Sequence, residues 1–101
     1  MRCNSSESRL NRTTPVGIYP GGATQQGVVD MAGNVWEWCL NVSEHPEKPK
    51  SVRLDDTDAW RVIRGGSWGD RQVNLRSSNR GWTNPDNRYT DFGFRLAQHI
   101  L

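Results

Sequence analysis

The stretch GVVDMAGNVWEWC, residues 27–39, joins a compact turn to a short run dense in aromatic residues. Asp30 and Glu37 flank the pair Gly33-Asn34, and a tight turn at this pair would gather two carboxylates and several backbone carbonyls around one point. Hard cations such as calcium take about six to eight oxygen ligands, which suits this arrangement. The stretch therefore predicts a turn with a candidate calcium site, followed by a strand.

The strand predicted directly after the turn is rich in β-prone side chains. Because successive strand side chains point to opposite faces, Trp36 and Trp38 should share one face and Glu37 should lie on the other. Two later segments are also predicted as strands, residues 60–68 with a terminal glycine turn and residues 92–97 as a closing strand. We therefore expect short strands held in place by packed indole rings, with long polar connections and little helix.

Composition indicates one small domain. The chain has 101 residues, of which 34% are hydrophobic, and its mean hydropathy is -0.82. A domain of this size buries only somewhat more than about 60% of its unfolded surface, so the five tryptophans must supply much of the core. Residues 1–12 are polar and aperiodic, which predicts an extended lead-in without a core face, and residues 13–101 form the domain itself.

Charge and cysteine usage exclude several function classes. The net charge of +2 is too small for a surface that tracks phosphates, so nucleic acid is not an expected partner. The sequence has no apolar run long enough to span a membrane and no signal peptide at its start, which predicts a soluble chain. Cys3 and Cys39 either pair or stay free, and the lack of a CxxC motif or a Cys/His cluster disfavours zinc.

Several ordered blocks of the sequence carry a resemblance to a known family. They are residues 14–17, 27–38, 61–68, 76–80 and 93–95. Because these blocks occur in this order and at this spacing, the chain resembles the formylglycine-generating enzyme, or sulfatase-modifying factor, family. The resemblance covers nearly the whole chain but only the C-terminal part of that family's domain. It implies an α+β, C-type-lectin-like fold with low regular secondary structure, short antiparallel strands and long loops.

The resemblance also implies a calcium ion at the opening motif, residues 27–39. The implied ligands are the Asp30 side chain, the Gly33 and Val35 carbonyls and the Glu37 side chain. The residue pattern by itself also indicates the carboxylates of Asp30 and Glu37 as calcium ligands. The alternative is that Asp30 caps a turn and Glu37 pairs with an arginine, such as Arg64 or Arg80.

The resemblance to the family does not imply that this chain catalyses formylglycine formation. Enzymes that make formylglycine use a cysteine pair after the Gly-Gly-Ser-Trp turn to bind copper, and soft thiolates suit cuprous copper. Residues 69–92 contain no cysteine, so we expect no copper site. Relatives with histidine-rich iron sites are not matched either, since His45 and His99 lie outside the shared blocks. The enzyme question stays open, and a noncatalytic role is favoured.

The favoured function is a ligand-binding module, bacterial in origin, for a protein or small-molecule ligand. The same fold resembles the variable ligand-binding proteins of diversity-generating retroelements, in which surface positions change between fixed framework residues. Here the display surface would lie within residues 69–91, as an exposed insert with rigid aromatics beside polar side chains. The candidate ligand-binding residues are Asp70, Arg71, Gln72, Asn74, Trp82, Thr83, Asn84, Tyr89, Thr90 and Asp91.

Three alternatives to a dedicated binding surface remain. The insert is a solvated loop in an ordinary relative, the chain is the C-terminal fragment of an oxidoreductase with catalytic residues elsewhere, or it is an assembly subunit. A domain that lacks an N-terminal half would leave apolar surface open near Trp36, Trp38 and Trp60. We therefore expect self-association, or a partner chain, to cover the strand layer.

Overall fold

A five-stranded sheet forms the centre of the molecule within the residues that the computed structural model describes, 2–43, 52–54, 60–76 and 79–98. The strands are β1 (Trp36–Ser43), β2 (Val52–Leu54), β3 (Arg61–Arg64), β4 (Arg80–Thr83) and β5 (Phe92–Gly93). Short 3-10 turns at Ser6–Ser8, Pro20–Gly22 and Gln72–Asn74 are the helical elements of the described chain. No helix in these ranges has the length and apolarity needed to cross a bilayer.

β1 is the central strand because it is paired along both edges. One edge pairs antiparallel with β3, where Trp38 opposes Ile63, and a register shift follows before Val42. The other edge pairs parallel with β5 through Trp36 and Phe92, and antiparallel with β2 further along the strand. The predicted strand after the turn is thus confirmed, and it is the element to which most of the sheet is attached.

The predicted alternation of faces along β1 does not appear in the burial of its side chains. Glu37 and Trp38 are both half-buried, as are Trp36 and Cys39. The reason is that neighbouring side chains each have a covering partner: Glu37 meets Arg95, and the Trp38 ring packs edge-on against Phe92 with centroids 5.6 Å apart. These side chains of β1 are therefore partly covered by β5 and by the segment that follows it.

Residues 69–91 are not one continuous exposed insert, because β4 runs through them. β4 pairs antiparallel with β3, and Trp82 lies opposite Val62, whose side chain is buried. Trp82 is itself half-buried, and Thr83 is only 7% exposed. The expected exposure of these two residues is wrong because the short strand sits among Asn, Asp and Gly turn residues that conceal its pattern.

The interior extends into the N-terminal segment. Besides Val62 and Ile63, the buried residues include Asn4 and Ser5, with exposed fractions of 0% and 1%, and the adjacent Cys3. The expectation that residues 1–12 have no core face is therefore wrong. Hydrophobic periodicity could not reveal this segment, because polar side chains and backbone hydrogen bonds hold it. One example is the Asn34 N–H, which donates to the Asn4 carbonyl at 2.8 Å.

Candidate functional site

The turn at residues 30–34 of the opening motif has three residues in the left-handed region of backbone space. Asp30, Gly33 and Asn34 have φ values of 57°, 77° and 68°. Asp and Asn tolerate this conformation better than most side chains, and glycine adopts it freely. A Cβ on Gly33 would also lie 2.4 Å from the Asn4 carbonyl oxygen. The turn therefore needs these residue types, and its close approach to the N-terminal segment needs a glycine.

Asn34 connects the turn to segments that are distant in the sequence. Its side-chain oxygen accepts from the Thr14 N–H at 3.0 Å and from the Asn4 amide at 3.3 Å. Its backbone carbonyl accepts from the Trp68 N–H at 3.0 Å. The residue is only 8% exposed, so these bonds form largely out of water, where an unpaired polar group is costly. Asn34 thereby joins the opening turn to three other parts of the chain.

Three of the four predicted calcium ligands line one cavity of about 230 Å³. Asp30, Val35 and Glu37 are among its lining residues, together with exposed Phe94 and Arg95. One Asp30 oxygen, Oδ2, accepts from the Gly17 N–H at 3.0 Å. The fourth, Gly33, donates its own N–H to the Gly65 carbonyl at 2.8 Å. Folding thus brings the two acidic side chains of the motif to one place.

The Arg95 guanidinium lies against this cavity and binds the turn through four hydrogen bonds. Its Nε and Nη2 donate to the two oxygens of Glu37, the second at 3.0 Å. Nη1 and Nη2 donate to the carbonyls of Val29 and Asp30 at 2.8 Å and 2.7 Å. The bond with Glu37 raises the pKa of Arg95. Glu37 thus pairs with an arginine, as the alternative prediction held, although the partner is Arg95, which that prediction did not name.

The residues at this cavity fit a calcium ion in their donor chemistry. Asp30 and Glu37 supply hard carboxylate oxygens, and a carboxylate offers about four lone-pair sites, so Glu37 has capacity beyond its bonds with Arg95. No group of three or more His, Cys, Asp or Glu side chains in the described ranges is placed to hold a metal. Backbone carbonyls and water would therefore complete the shell of any ion here.

The residues of the predicted display surface differ in exposure, and the difference separates side chains available to a ligand from those that support the fold. Arg71, Gln72, Asn74, Tyr89 and Thr90 are exposed, Asp70, Trp82, Asn84 and Asp91 are half-buried, and Thr83 is buried. Even the exposed Tyr89 is held on one side, because its ring packs edge-on against Phe92 with centroids 4.9 Å apart.

Ser67 forms hydrogen bonds with both ends of the display segment, residues 69–91. This fully buried residue donates from its hydroxyl to Asp91 Oδ2 at 2.7 Å, and its N–H donates to Asp70 Oδ2 at 2.8 Å. Both aspartates were predicted as ligand-binding residues. In the structure their carboxylates are engaged with Ser67, so they position the loops on which their exposed neighbours stand.

The N-terminal segment fixes the same loop from the other side. The Ser6 N–H donates to the Asp70 carbonyl at 2.8 Å, and the Gln72 N–H donates to the Glu7 carboxylate at 3.0 Å and 3.1 Å. The bond from Gln72 lowers the pKa of Glu7. Sequence reasoning missed Glu7 because nothing in a polar, aperiodic segment marks one carboxylate as a loop anchor.

An open pocket of about 660 Å³ lies on the display segment. Its lining residues are Trp36, Asp70, Val73, Asn74, Arg76 and Asn79. The Asn79 amide donates to the Asn74 carbonyl at 2.8 Å, which braces the wall of the pocket. The pocket combines an indole and a valine with several amide and charged groups, so its lining is more polar than that of most small-molecule sites. Two predicted residues, Asp70 and Asn74, are brought together here.

Comparison with known proteins identifies the family. Residues 2–100 match the Sulfatase-modifying factor enzyme 1-like domain. The chain belongs to this family. Among relatives, it is 37% identical over 100 residues to hercynine oxygenase of Mycolicibacterium smegmatis, an alignment that covers 88% of this chain and 23% of that protein. This sulfatase-modifying factor domain thus spans less than a quarter of that relative's length.

Solved structures of similar fold support the same assignment. PvdO from Pseudomonas aeruginosa is 31% identical, with a TM-score of 0.74 over 92% of this chain and 37% of that one. Treponema denticola variable protein 1 has a TM-score of 0.71 at 24% identity, over 92% of this chain and 34% of that one, which shows a common fold. The predicted α+β class with low regular secondary structure is thereby confirmed, as is the resemblance to this family.

The two cysteines of this sulfatase-modifying factor domain are free thiols. Cys3 is buried and Cys39 is half-buried, and burial raises the pKa of both. Desolvation disfavours the thiolate, which is the form that acts as nucleophile or metal ligand. Of the two possibilities that the sequence left open, pairing or free thiols, the structure has the second.

Proposed function

We propose that this domain is a noncatalytic ligand-binding module whose contact surface lies on residues 70–74 and 89–90. The observation that carries the proposal is a loop with a fixed backbone and exposed side chains. Ser67 holds it through Asp70 and Asp91, and the N-terminal segment holds it through Glu7. A loop that is already ordered loses little conformational entropy on binding, which favours affinity.

The chemistry of the exposed side chains suits recognition of a protein or a small polar ligand. Tyr89 is 57% exposed and offers a rigid amphipathic ring, while Arg71, Gln72 and Asn74 offer hydrogen bonds and charge. Tyrosine with short polar residues is the usual composition of adaptable contact surfaces, because the aromatic ring supplies area at low entropic cost. Trp82 and Thr83 belong to the supporting sheet in this proposal.

The likeness in fold to a protein titled a variable protein supports one finer version of the proposal. In that version the exposed positions of residues 70–74 and 89–90 vary between copies of the gene while Ser67, Asp70 and Asp91 keep the loops in place. A reverse transcriptase gene beside a near-copy of the coding segment for residues 60–95 would establish such diversification.

The binding surface is tested by removing two exposed side chains. We expect the double variant Arg71→Ala, Tyr89→Ala to lose at least about tenfold in affinity for peptides selected against the wild-type domain, since aromatic and arginine anchors dominate interface energetics. Its free energy of unfolding should stay within about 1.5 kcal/mol of wild type, the cost of one exposed aromatic contact. Surface plasmon resonance and urea unfolding measure the two quantities.

The matched control for this double variant is Arg88→Ala, Leu96→Ala, which also removes one exposed arginine and one exposed large apolar side chain. The control should keep full affinity. Selected peptides that bind the first variant as tightly as wild type would place the contact surface elsewhere and overturn the proposal.

Calcium at the opening motif is part of the proposal, with Asp30, Gly33, Val35 and Glu37 as its ligands. A bound ion would hold the turn that begins β1. Because an ion that binds only the folded state stabilises it by about 2.7 kcal/mol at one hundred times its Kd, chelation should lower the melting temperature. Asp30→Asn should remove most of this response, and Asp86→Asn, a change at an exposed turn, should keep it. A melting temperature indifferent to chelator and to added calcium would contradict the site.

An enzymatic role is the second candidate, and the similarity to hercynine oxygenase favours it. In this version the domain is the C-terminal part of an oxidoreductase and the catalytic residues lie in an additional segment. A coding frame that continues upstream of Met1 would favour it over the binding module.

A role as an assembly subunit is supported by exposed apolar residues at the strand layer. Trp60 is 44% exposed, and Phe94 and Leu96, which follow β5, are 71% and 89% exposed. A second copy or a partner chain would cover them, while Arg71 and Tyr89 stay outside that contact. Sedimentation over a range of protein concentrations distinguishes a monomer from a self-associating chain.

A further inference from the structure

A third cavity, which shares only Arg76 with the pocket on the display segment, lies beside β1 and has a volume of about 480 Å³. Its lining residues are Met31, Ala32, Glu37, Trp38, Cys39, Arg64, Gly65, Arg76 and Arg95. This volume falls within the roughly 300–1,000 Å³ typical of small-molecule sites. Trp38 and Met31 provide apolar wall, and the Trp38 ring is held in place by its edge-on contact with Phe92.

The lining of this cavity includes an arginine, Arg76, in addition to the Glu37–Arg95 ion pair. Its described lining carries three guanidiniums, from Arg64, Arg76 and Arg95, and one carboxylate, from Glu37. Glu37 is bound by Arg95 through both oxygens, so that pair is compensated within itself. An apolar wall beside Arg76 is complementary to an anion with an apolar body.

We propose that this cavity binds a small aromatic carboxylate, with the ring against Trp38 and Met31 and the carboxylate on Arg76. Arginine binds carboxylates through two parallel N–H···O bonds, and such charge-assisted bonds are about twice as strong as neutral ones. Met31 is 51% exposed, so the ring enters from solvent past a flexible side chain that adapts to its shape. Arg76 also lines the display pocket, but Trp38 and Met31 do not, so these two side chains distinguish this site from that one.

The test uses the whole 101-residue chain, labelled with ¹⁵N, and 1-naphthoate as the probe. Titration should shift the indole N–H signal of Trp38 and the amide of Cys39 in a saturable way. The neutral analogue 1-naphthalenemethanol should bind at least about fivefold more weakly, because it lacks the charge-assisted bonds. Raising the salt concentration should weaken naphthoate binding and leave the neutral analogue nearly unchanged, since only the charged contact is screened.

Two pairs of variants locate the site. Arg76→Gln should reduce naphthoate affinity by about fivefold or more, and Arg88→Gln, at an exposed arginine outside the cavity, should not. Met31→Glu puts a negative charge in this cavity but not in the display pocket, and should reduce binding more than Leu96→Glu, the same change at an exposed apolar residue elsewhere. The dispersed amide spectrum of each variant confirms its fold.

Three results would overturn the proposal. The first is equal affinity for naphthoate and its neutral analogue. The second is naphthoate binding that Arg76→Gln and Met31→Glu leave unchanged. The third is that naphthoate shifts the indole signals of Trp60 or Trp82 but not that of Trp38. None of these results bears on peptide binding by residues 70–74 and 89–90, so the two proposals fail separately.

Discussion

Replacing Asn34 by alanine should lower the free energy of unfolding by about 3 kcal/mol or more, the sum of unpaired buried polar groups and a strained backbone. The change removes the acceptor of the Thr14 N–H and of the Asn4 amide, and Asn4 is fully buried. It also puts alanine at a φ of 68°, a left-handed conformation that asparagine tolerates better. Urea unfolding followed by tryptophan fluorescence measures the loss.

The control for this variant is Asn11→Ala. Asn11 has a φ of 54°, close to that of Asn34, but it is exposed. Its replacement therefore reports the backbone cost alone, about 1 to 2 kcal/mol. If Asn34→Ala costs no more than Asn11→Ala, the buried hydrogen bonds of Asn34 contribute nothing measurable, and its role as the connection between segments is wrong.

Replacing Arg95 by glutamine should lower the free energy of unfolding by about 2 kcal/mol, in the range for hydrogen bonds to charged groups after allowing for solvent. Arg95 is 40% exposed and Glu37 is 16% exposed, so water screens part of the ion pair. The larger share comes from the carbonyls of Val29 and Asp30, which lose their donors. Thermal and urea unfolding of Arg95→Gln give the value, and Arg88→Gln, at an exposed arginine, should be near neutral.

A double-mutant cycle with Glu37→Gln separates the two sets of bonds. The coupling energy between positions 37 and 95 reports the ion pair, and the remainder of the Arg95→Gln cost reports the carbonyl bonds. A cost for Arg95→Gln within the scatter of Arg88→Gln would show that the guanidinium does not hold the turn. Repeating the cycle with calcium tests whether an ion at Glu37 takes over part of that task, in which case added calcium should restore some stability to Arg95→Gln.

Much of the fold could be predicted from the sequence because the residue patterns that indicate it are local. The run from Val35 to Cys39 predicted the strand that became β1, since β-prone residues after a Gly-Asn turn leave few alternatives. The resemblance blocks predicted the family, and the match over residues 2–100 confirmed it. Asp30 and Glu37 flank the Gly-Asn pair in the sequence, and they line the same cavity in the structure. For the strand and the carboxylate pair, residues close together in the sequence carry the relevant pattern.

The display surface was only partly accessible, because exposure is a property of the folded chain. Arg71 and Tyr89 are exposed as predicted, but Trp82 and Thr83 lie in β4, whose partner β3 begins about twenty residues earlier in the sequence. Asp70 and Asp91 turned out to bind Ser67, which neither composition nor spacing indicates. The residues that hold a recognition loop and those that contact a ligand are of the same polar types, so only their contacts distinguish them.

The sequence by itself thus determined the turn and the central strand, since each depends on backbone preferences and residue types within a short window, and its ordered blocks indicated the family by resemblance. The tertiary structure alone decided that Arg95 is the partner of Glu37, that Asn4 belongs to the interior and that Glu7 anchors Gln72. These contacts join residues about thirty to sixty-five positions apart and are made by hydrogen bonds. Hydrogen bonds depend on direction and distance in space, and a linear pattern of residue types does not contain either.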